Sequence, residues 1–329
     1  MTQDFFQLDP ESILDSVEKA IQIDEPEIRA TGRSLSLNSL ENRVFDVELE
    51  DNSHVVAKFY RPGRWTKEQI QEEHEFLYAL EDTEVPVISP LWMGDRSVFA
   101  SDSGIFFALF PKVRGRLMDE LDDERLRTMG RYIARIHNVG EHFHFEHRLK
   151  MNVEDWAIKS LAFLQSSRFL PKEYQQRYEI LCQEVIRLVR PFLDSSAKIS
   201  LHGDCHLGNT LWQQDSPFFL DFDDSISAPA VQDIWMVVRG RDSEALRQRN
   251  ILLEGYEAFR PFSRPSLKYI ELLRSLRMIQ YSAWIGRRWD DPHFPKIFPH
   301  FGSSKYWEEE MHAIQESLAI FHDDSGLNI

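Results

Sequence analysis

Ser200-Leu-His-Gly-Asp-Cys-His-Leu-Gly-Asn209, with Phe218-Phe-Leu-Asp-Phe-Asp-Asp224 shortly after it, is the stretch on which the reading of this chain turns. Gly203 and Gly208, set among polar residues, disfavour a continuous helix, so the first half reads as a loop. Asp204 in that loop is a carboxylate able to accept or orient the proton of a hydroxyl. Asn209, five residues on, offers a carboxamide oxygen, a hard neutral ligand suited to Mg²⁺. Thr210-Leu-Trp212 then resumes an apolar run, Gln213-Gln-Asp-Ser-Pro217 makes a turn, and Phe218-Phe-Leu220 returns to deliver Asp221. Such a hairpin brings Asn209 and Asp221 together. One proton acceptor and two oxygen ligands on short loops form the set that phosphoryl transfer from a nucleotide requires. A transition-metal site of His202, Cys205 and His206 would need a helix to turn both histidines onto one ion, and the glycines oppose it. His202 is instead expected to pack and hydrogen-bond beneath the loop, and Cys205 to be a buried, inert thiol.

Upstream, Val44-Phe-Asp-Val-Glu-Leu49 and His54-Val-Val-Ala-Lys-Phe-Tyr60 flank the turn-like Glu50-Asp-Asn-Ser53 and read as a hairpin. Further strands are expected at Ser97–Ala100 and Ile105–Phe110. Between the two pairs, Thr66 with Gln69 three residues later is a capping-box pattern that opens a helix running to about Leu80. Ile70, Glu73, Leu77 and Leu80 share one face of that helix, so Glu73 is a carboxylate inside an apolar stripe. Burial there is costly without a cation, and Lys58 is the natural partner. After Pro111 the chain turns mostly helical, with amphipathic spacing at Leu126, Met129, Ile133 and Ile136, then at Leu181, Val185, Leu188 and Val189. Late helices are expected over 266–287 and 304–321. The fold class is therefore α+β in two lobes, residues 1–111 forming a β-rich nucleotide-binding lobe and residues 112–329 a helical catalytic and acceptor-binding lobe, with a cleft between them.

Composition bounds the partners. The 329 residues carry 42% apolar side chains and a formal charge of −16, so a large core is available and general binding to nucleic acid or anionic membrane is disfavoured. No basic stretch leads an apolar segment at the amino terminus, and no run approaches 18 apolar residues. Two cysteines make no disulfide framework and suit a reducing compartment. The expectation is a cytoplasmic monomer with neither a nucleic acid nor a membrane as partner.

The HGDxxxxN string resembles the catalytic loop of protein-kinase-like phosphotransferases, in the branch of the aminoglycoside phosphotransferases and choline kinases. The resemblance implies a protein-kinase-like fold in which Asp204 is the catalytic base, Asn209 a Mg²⁺ ligand and Asp221 the metal-binding aspartate opening Asp221-Phe-Asp223. It implies that Lys58, in Val56-Ala-Lys58, contacts the ATP phosphates and pairs with Glu73. The phosphate-covering loop falls at Ser36-Leu-Asn-Ser39-Leu-Glu-Asn-Arg43, without GxGxxG, where Ser39 is either a phosphate contact or a turn residue. Phe110–Val113 corresponds to the hinge that meets adenine. Asp233, ahead of Ile234-Trp235, looks like the buried acid that braces the catalytic loop; a helix N-cap is the competing reading.

Several strings are similar to one bacterial family, stress response kinase A: Leu37-Asn-Ser-Leu-Glu-Asn-Arg-Val44, Val56-Ala-Lys-Phe-Tyr-Arg-Pro62, Pro229-Ala-Val-Gln-Asp233 and Arg288-Trp-Asp-Asp-Pro-His-Phe-Pro-Lys296. That resemblance implies an ATP- and Mg²⁺-dependent serine/threonine protein kinase that also phosphorylates itself and acts in stress survival. The alternative is a small-molecule kinase for an amino alcohol, sugar or aminoglycoside, with Trp284, Trp289, Asp290 and Asp291 lining an acceptor pocket. A pseudokinase would be expected to lack one of Lys58, Asp204, Asn209 and Asp221, and all four are present.

Overall fold

The computed structural model describes residues 5 and 8–323; the first residues, in which no leader pattern was found, lie largely outside them. Helix α1 (Pro10–Ile21) opens where Asp9 accepts the Ser12 N–H at 2.9 Å and Pro10 supplies a preset φ. Strands β1 (Ala30–Leu37), β2 (Arg43–Leu49) and β3 (His54–Phe59) follow. Helix α2 (Lys67–Glu81) comes next, its capping box complete between Thr66 and Gln69, and β4 (Phe99–Ala100) and β5 (Phe106–Pro111) close the sheet. The strand order is β1-β2-β3-β5-β4, antiparallel throughout, with Lys58 opposite Val44 on one side and Ala108 on the other. A central position on β3 puts Lys58 on the face of the sheet that looks into the cleft.

The rest is mainly helical: α3 (Asp123–His142), α4 (Lys159–Ser166) and α5 (Lys172–Ser195) precede strand β6 (Ile199–Leu201). The hairpin β7 (Thr210–Gln213) and β8 (Ser216–Phe219) follows, then β9 (Ile226–Ala228), which pairs with β6. Helices α6 (Val231–Val237), α7 (Ser243–Glu257), α8 (Ile270–Arg287), α9 (Phe294–Ile297) and α10 (Ser304–His322) complete the chain. Two large apolar cores result. One gathers α1 and the sheet; the other gathers the helices and also takes Phe76, Leu77 and Leu80 from α2. Helix α2 thus packs its second half into the helical core.

The hairpins and the helices over 123–142, 172–195 and 304–322 form where periodicity placed them. Three details differ from expectation. The 97–100 strand shrinks to two residues, and the 266–287 helix begins at Ile270 behind a 3₁₀ turn, Arg264–Tyr269, that opens with proline. The elements α1 and β1 had no counterpart in the sequence reading, although Asp9-Pro10 is a helix start signal. Strand β1 is mostly exposed, so it lacks the apolar alternation that marks a strand. Among the described residues no helix is long and apolar enough to cross a membrane.

Candidate active site

The catalytic loop leaves β6 at Leu201 and is shaped from below. His202 is fully buried; its Nδ1 accepts the Asp204 N–H at 3.3 Å and its Nε2 donates to the Leu220 carbonyl at 2.8 Å, which ties the loop to the end of the β7–β8 hairpin. Gly203 sits at φ +83°, and a Cβ there would lie 2.2 Å from the Asp224 carbonyl, so both conformation and space require glycine. Beneath it, Asp233 accepts the N–H groups of His202 at 3.1 Å and Gly203 at 2.9 Å and meets His137 Nε2 at 3.1 Å. Asp233 lies in the first turn of α6, whose N-cap is Ala230, so it braces the loop and does not cap the helix.

The hairpin does what the sequence required of it: the Leu220 N–H reaches the Asn209 carbonyl at 2.9 Å, setting Asn209 and Asp221 side by side. Asn209 donates through Nδ2 to the Asp204 carbonyl at 3.0 Å, which fixes the end of its carboxamide that carries hydrogen. Asp221 has φ 54°, a left-handed conformation that aspartate tolerates better than most residues. Its half-exposed carboxylate meets Lys58 Nζ at 3.1 Å.

Lys58 is the hub of the other side. Its Nζ also lies 3.3 Å from Glu73 and 3.3 Å from Asp223, both almost wholly buried. Burial alone would favour loss of the Lys58 proton, but Asp223, Glu73 and Asp221 outweigh it and hold the ammonium well above its ordinary range. Burial likewise pushes the Glu73 carboxyl up against the pull of Lys58. Glu73, almost wholly buried at the cavity wall, therefore positions Lys58 through α2. Arg64, which the sequence reading passed over, holds Asp223 at 2.6 Å and Asp224 at 2.5 Å. Glu72 was also missed; it turns into the opposite lobe and accepts the N–H groups of Glu146, His147 and Arg148.

Asp204 faces these groups across a cavity of about 1330 Å³ that Ser39, Lys58, Glu73, Asn209 and Asp221 also line, together with the segment Phe110–Val113. Arg277 of α8 donates to the Asp204 carboxylate at 2.7 Å. Burial would raise the Asp204 carboxyl, but Arg277, His206 and His202 more than offset it, and the group stays below its ordinary value. Ser39 Oγ accepts the Asn42 N–H at 3.2 Å, a turn contact made within reach of the cavity. In the same turn, Glu41 binds Arg288 at 2.6 Å, the Trp284 indole N–H at 2.8 Å and Arg61 at 3.2 Å, closing the loop between β1 and β2 onto α8. Of the four residues expected to line an acceptor pocket, Trp284 alone does so. Asp291 is buried against Arg61 at 2.8 Å, Trp289 packs on Phe169 and Phe301, and Asp290 is exposed away from the cavity. Cys205 is fully buried, and burial, then Asp233 and Asp204, push its thiol far up, which leaves no ready thiolate.

A lysine–glutamate pair on the sheet lobe, facing a braced aspartate and an Asn/Asp hairpin on the helical lobe, defines a kinase-fold phosphotransferase. The chain belongs to the phosphotransferase enzyme family, whose sequence profile matches residues 35–270, and it is an enzyme of the kinase class. Among its relatives is Stress response kinase A of Escherichia coli (strain K12), 35% identical over 97% of this chain and 95% of that protein. The Serine/threonine protein kinase RdoA of Salmonella typhimurium is 35% identical over the same shares. Solved structures share the fold: an amicoumacin kinase in complex with AMP-PNP and Ca²⁺ (TM-score 0.75, 16% identity, 96% of each chain) and a microcompartment-associated aminopropanol kinase (TM-score 0.60, 18% identity, 95% of this chain and 98% of that one).

Proposed function

We propose that this protein is an ATP- and Mg²⁺-dependent serine/threonine protein kinase that also phosphorylates itself. The observation that carries the reaction class is the meeting of Lys58 from the sheet lobe with Asp221 from the helical lobe at 3.1 Å, on the cavity that Asp204 and Asn209 also line. The choice of protein as acceptor rests on similarity over 97% of this chain to a relative named a serine/threonine protein kinase. In this reading the cytoplasm is the place of action.

The donor set fits Mg²⁺. Asn209 and Asp221 supply two hard oxygens side by side, and this ion commonly takes one or two protein oxygens with the remainder from phosphate and water. Bound there, the ion would neutralise charge on the β- and γ-phosphates. Lys58 holds the phosphates of ATP, and Glu73 and Asp223 keep its ammonium charged and aimed. Asp204 accepts the proton of the serine or threonine hydroxyl as its oxygen bonds to the γ-phosphorus; the bond from that phosphorus to the β–γ bridging oxygen breaks, and ADP leaves with its electron pair. Gly203, His202 and Asp233 keep Asp204 in place through this step.

The deciding experiment incubates the purified chain and its Asp204→Ala variant with labelled ATP, generic protein acceptors and a panel of amino alcohols, sugars and aminoglycosides. Label entering protein in the wild type, with a loss of roughly 10³-fold or more in the variant, is the expected result. Transfer to small molecules alone would overturn the protein-kinase reading, and an unimpaired variant would overturn the role of Asp204.

A further inference from the structure

The acceptor side of the cleft is cationic, in a chain whose formal charge is −16. Arg239, just after α6, and Arg274, Arg277, Arg287 and Arg288 on or beside α8 all line the cavity that holds Asp204. Their carboxylate partners are too few. Arg277 has Asp204; Arg274 shares Glu271 with Arg241; Arg288 shares Glu41 with Arg61 and Arg64. Among the described residues, Arg239 and Arg287 lie within ion-pair distance of no carboxylate, and their hydrogen bonds go to the backbone carbonyls of Met236 and Lys159.

Aromatic faces hold three of the guanidinium planes in the wall: Arg274 lies over the Trp235 ring at 5.3 Å, Arg287 over Phe163 at 4.9 Å and Arg288 over Trp284 at 5.1 Å. Arg239 feels Arg277 and Arg274 as like charges, after burial the main causes that lower its affinity for its own proton. Like charges kept together at a cavity wall cost stability unless an anion arrives between them. The γ-phosphate is one anion that enters the cleft, but Lys58, Asn209 and Asp221 already line the side where the nucleotide would sit.

We infer that this arginine wall selects an acceptor hydroxyl flanked by carboxylates, namely a serine or threonine in an acidic segment of a protein; the inference rests on the protein-kinase reading above. Such a segment also bears on the contact between Arg277 and Asp204. Arg277 occupies one oxygen of the Asp204 carboxylate at 2.7 Å. A substrate carboxylate next to the hydroxyl competes for Arg277, and each Arg277 N–H turned toward it leaves an Asp204 oxygen free for the hydroxyl proton. A polycationic acceptor meets repulsion from the same wall.

The test uses the full chain, saturating labelled ATP and three serine-centred peptides of equal length with Asp/Glu, Gln/Asn or Lys/Arg around the acceptor. The expected order of kcat/KM is acidic, neutral, basic, with about tenfold or more between the first two. The Arg239 side chain makes one hydrogen bond, to the Met236 carbonyl, and no ion pair among the described residues, so its replacement leaves the fold intact. Arg239→Gln is expected to raise KM for the acidic peptide about tenfold with kcat and KM for ATP within about twofold, and Arg239→Glu to shift preference toward the basic peptide. Equal use of all three peptides would overturn the inference and leave the protein-kinase reading standing. A rise in KM for ATP instead of the peptide would assign the wall to the nucleotide and overturn it as well. Transfer to small hydroxyl compounds with none to any peptide or to the chain itself would remove the reading beneath, and the inference with it.

Discussion

On the wall of the cleft built by β3, α2 and the segment after β8, Lys58, Arg64 and Arg148 serve Glu73, Asp221, Asp223 and Asp224. On the wall built by α6, α8 and their flanks, the five arginines that line the cavity have Asp204, Glu271 and Glu41, two of which are shared with cations from elsewhere. The first wall carries surplus negative charge, as a site must if it is to take a divalent cation together with its phosphates. The second carries surplus positive charge, which no metal would relieve. The two walls therefore await different visitors, and each can be tested by removing one charge and asking which substrate notices.

Among the cations of the two walls, the largest effect is expected on the nucleotide side. Lys58→Ala removes one of the cations that compensate buried Glu73 and Asp223, and with it the proposed phosphate contact, so kcat/KM for ATP should fall roughly 100-fold, with a lower melting temperature. A change below threefold would mean that Arg64 and Arg148 carry that wall alone. On the acceptor side, Arg277→Gln removes the cation that keeps the Asp204 carboxyl low. A depressed carboxyl is ionised, and so able to accept a proton, further into acid; without Arg277 it takes up its proton at higher pH. The acid limb of the kcat/KM profile should accordingly move upward, and an unmoved limb would show that the contact is incidental. Smaller still is Glu41→Gln, which loosens the loop that Arg288 and Trp284 hold closed. KM for ATP should rise about threefold, with kcat little changed, in steady-state kinetics.

The smallest effect lies behind the acceptor wall, where Glu310 of α10 accepts hydrogen bonds from Ser282 at 2.9 Å and Tyr178 at 3.3 Å. Burial pushes its carboxyl up from 4.5 to about 7, opposed by those two bonds. The folded state thus prefers the protonated form, so its contribution to stability is complete below pH 4.5 and is lost as pH rises through about 7. Glu310→Gln should flatten that loss, raising the melting temperature at pH 8 by a few degrees and changing it little at pH 5. An equal shift at both pH values would assign the effect to packing and not to charge.

Legibility followed sequence distance. Asp204, Asn209 and Asp221 fall within 18 consecutive residues joined by one hairpin, so turn chemistry and apolar alternation were enough to bring them together on paper. Lys58 and Glu73 sit 15 residues apart, and a buried carboxylate in an apolar stripe points to its cation. Arg64 and Glu41 carried no such sign. Their partners, Asp223 and Arg288, come from the opposite lobe, and a charged residue in a loop has the same sequence signature whether it is solvated or bridging. The expected acidic acceptor pocket failed for the same reason: Asp291 looked available in its string, yet the fold turns it inward onto Arg61 and Arg43.

By itself, then, the order of residues determined which side chains meet, because Asp204, Asn209, Asp221, Lys58 and Glu73 are placed by short-range hairpins and one helix period. The sign of the acceptor wall was decided only by tertiary structure. Arg239, Arg277 and Arg287 are three among 38 lysines and arginines in a net acidic chain, and each alone reads as solvated surface. They become a site only where α6 and α8 pack together and the carboxylates that could neutralise them are engaged elsewhere.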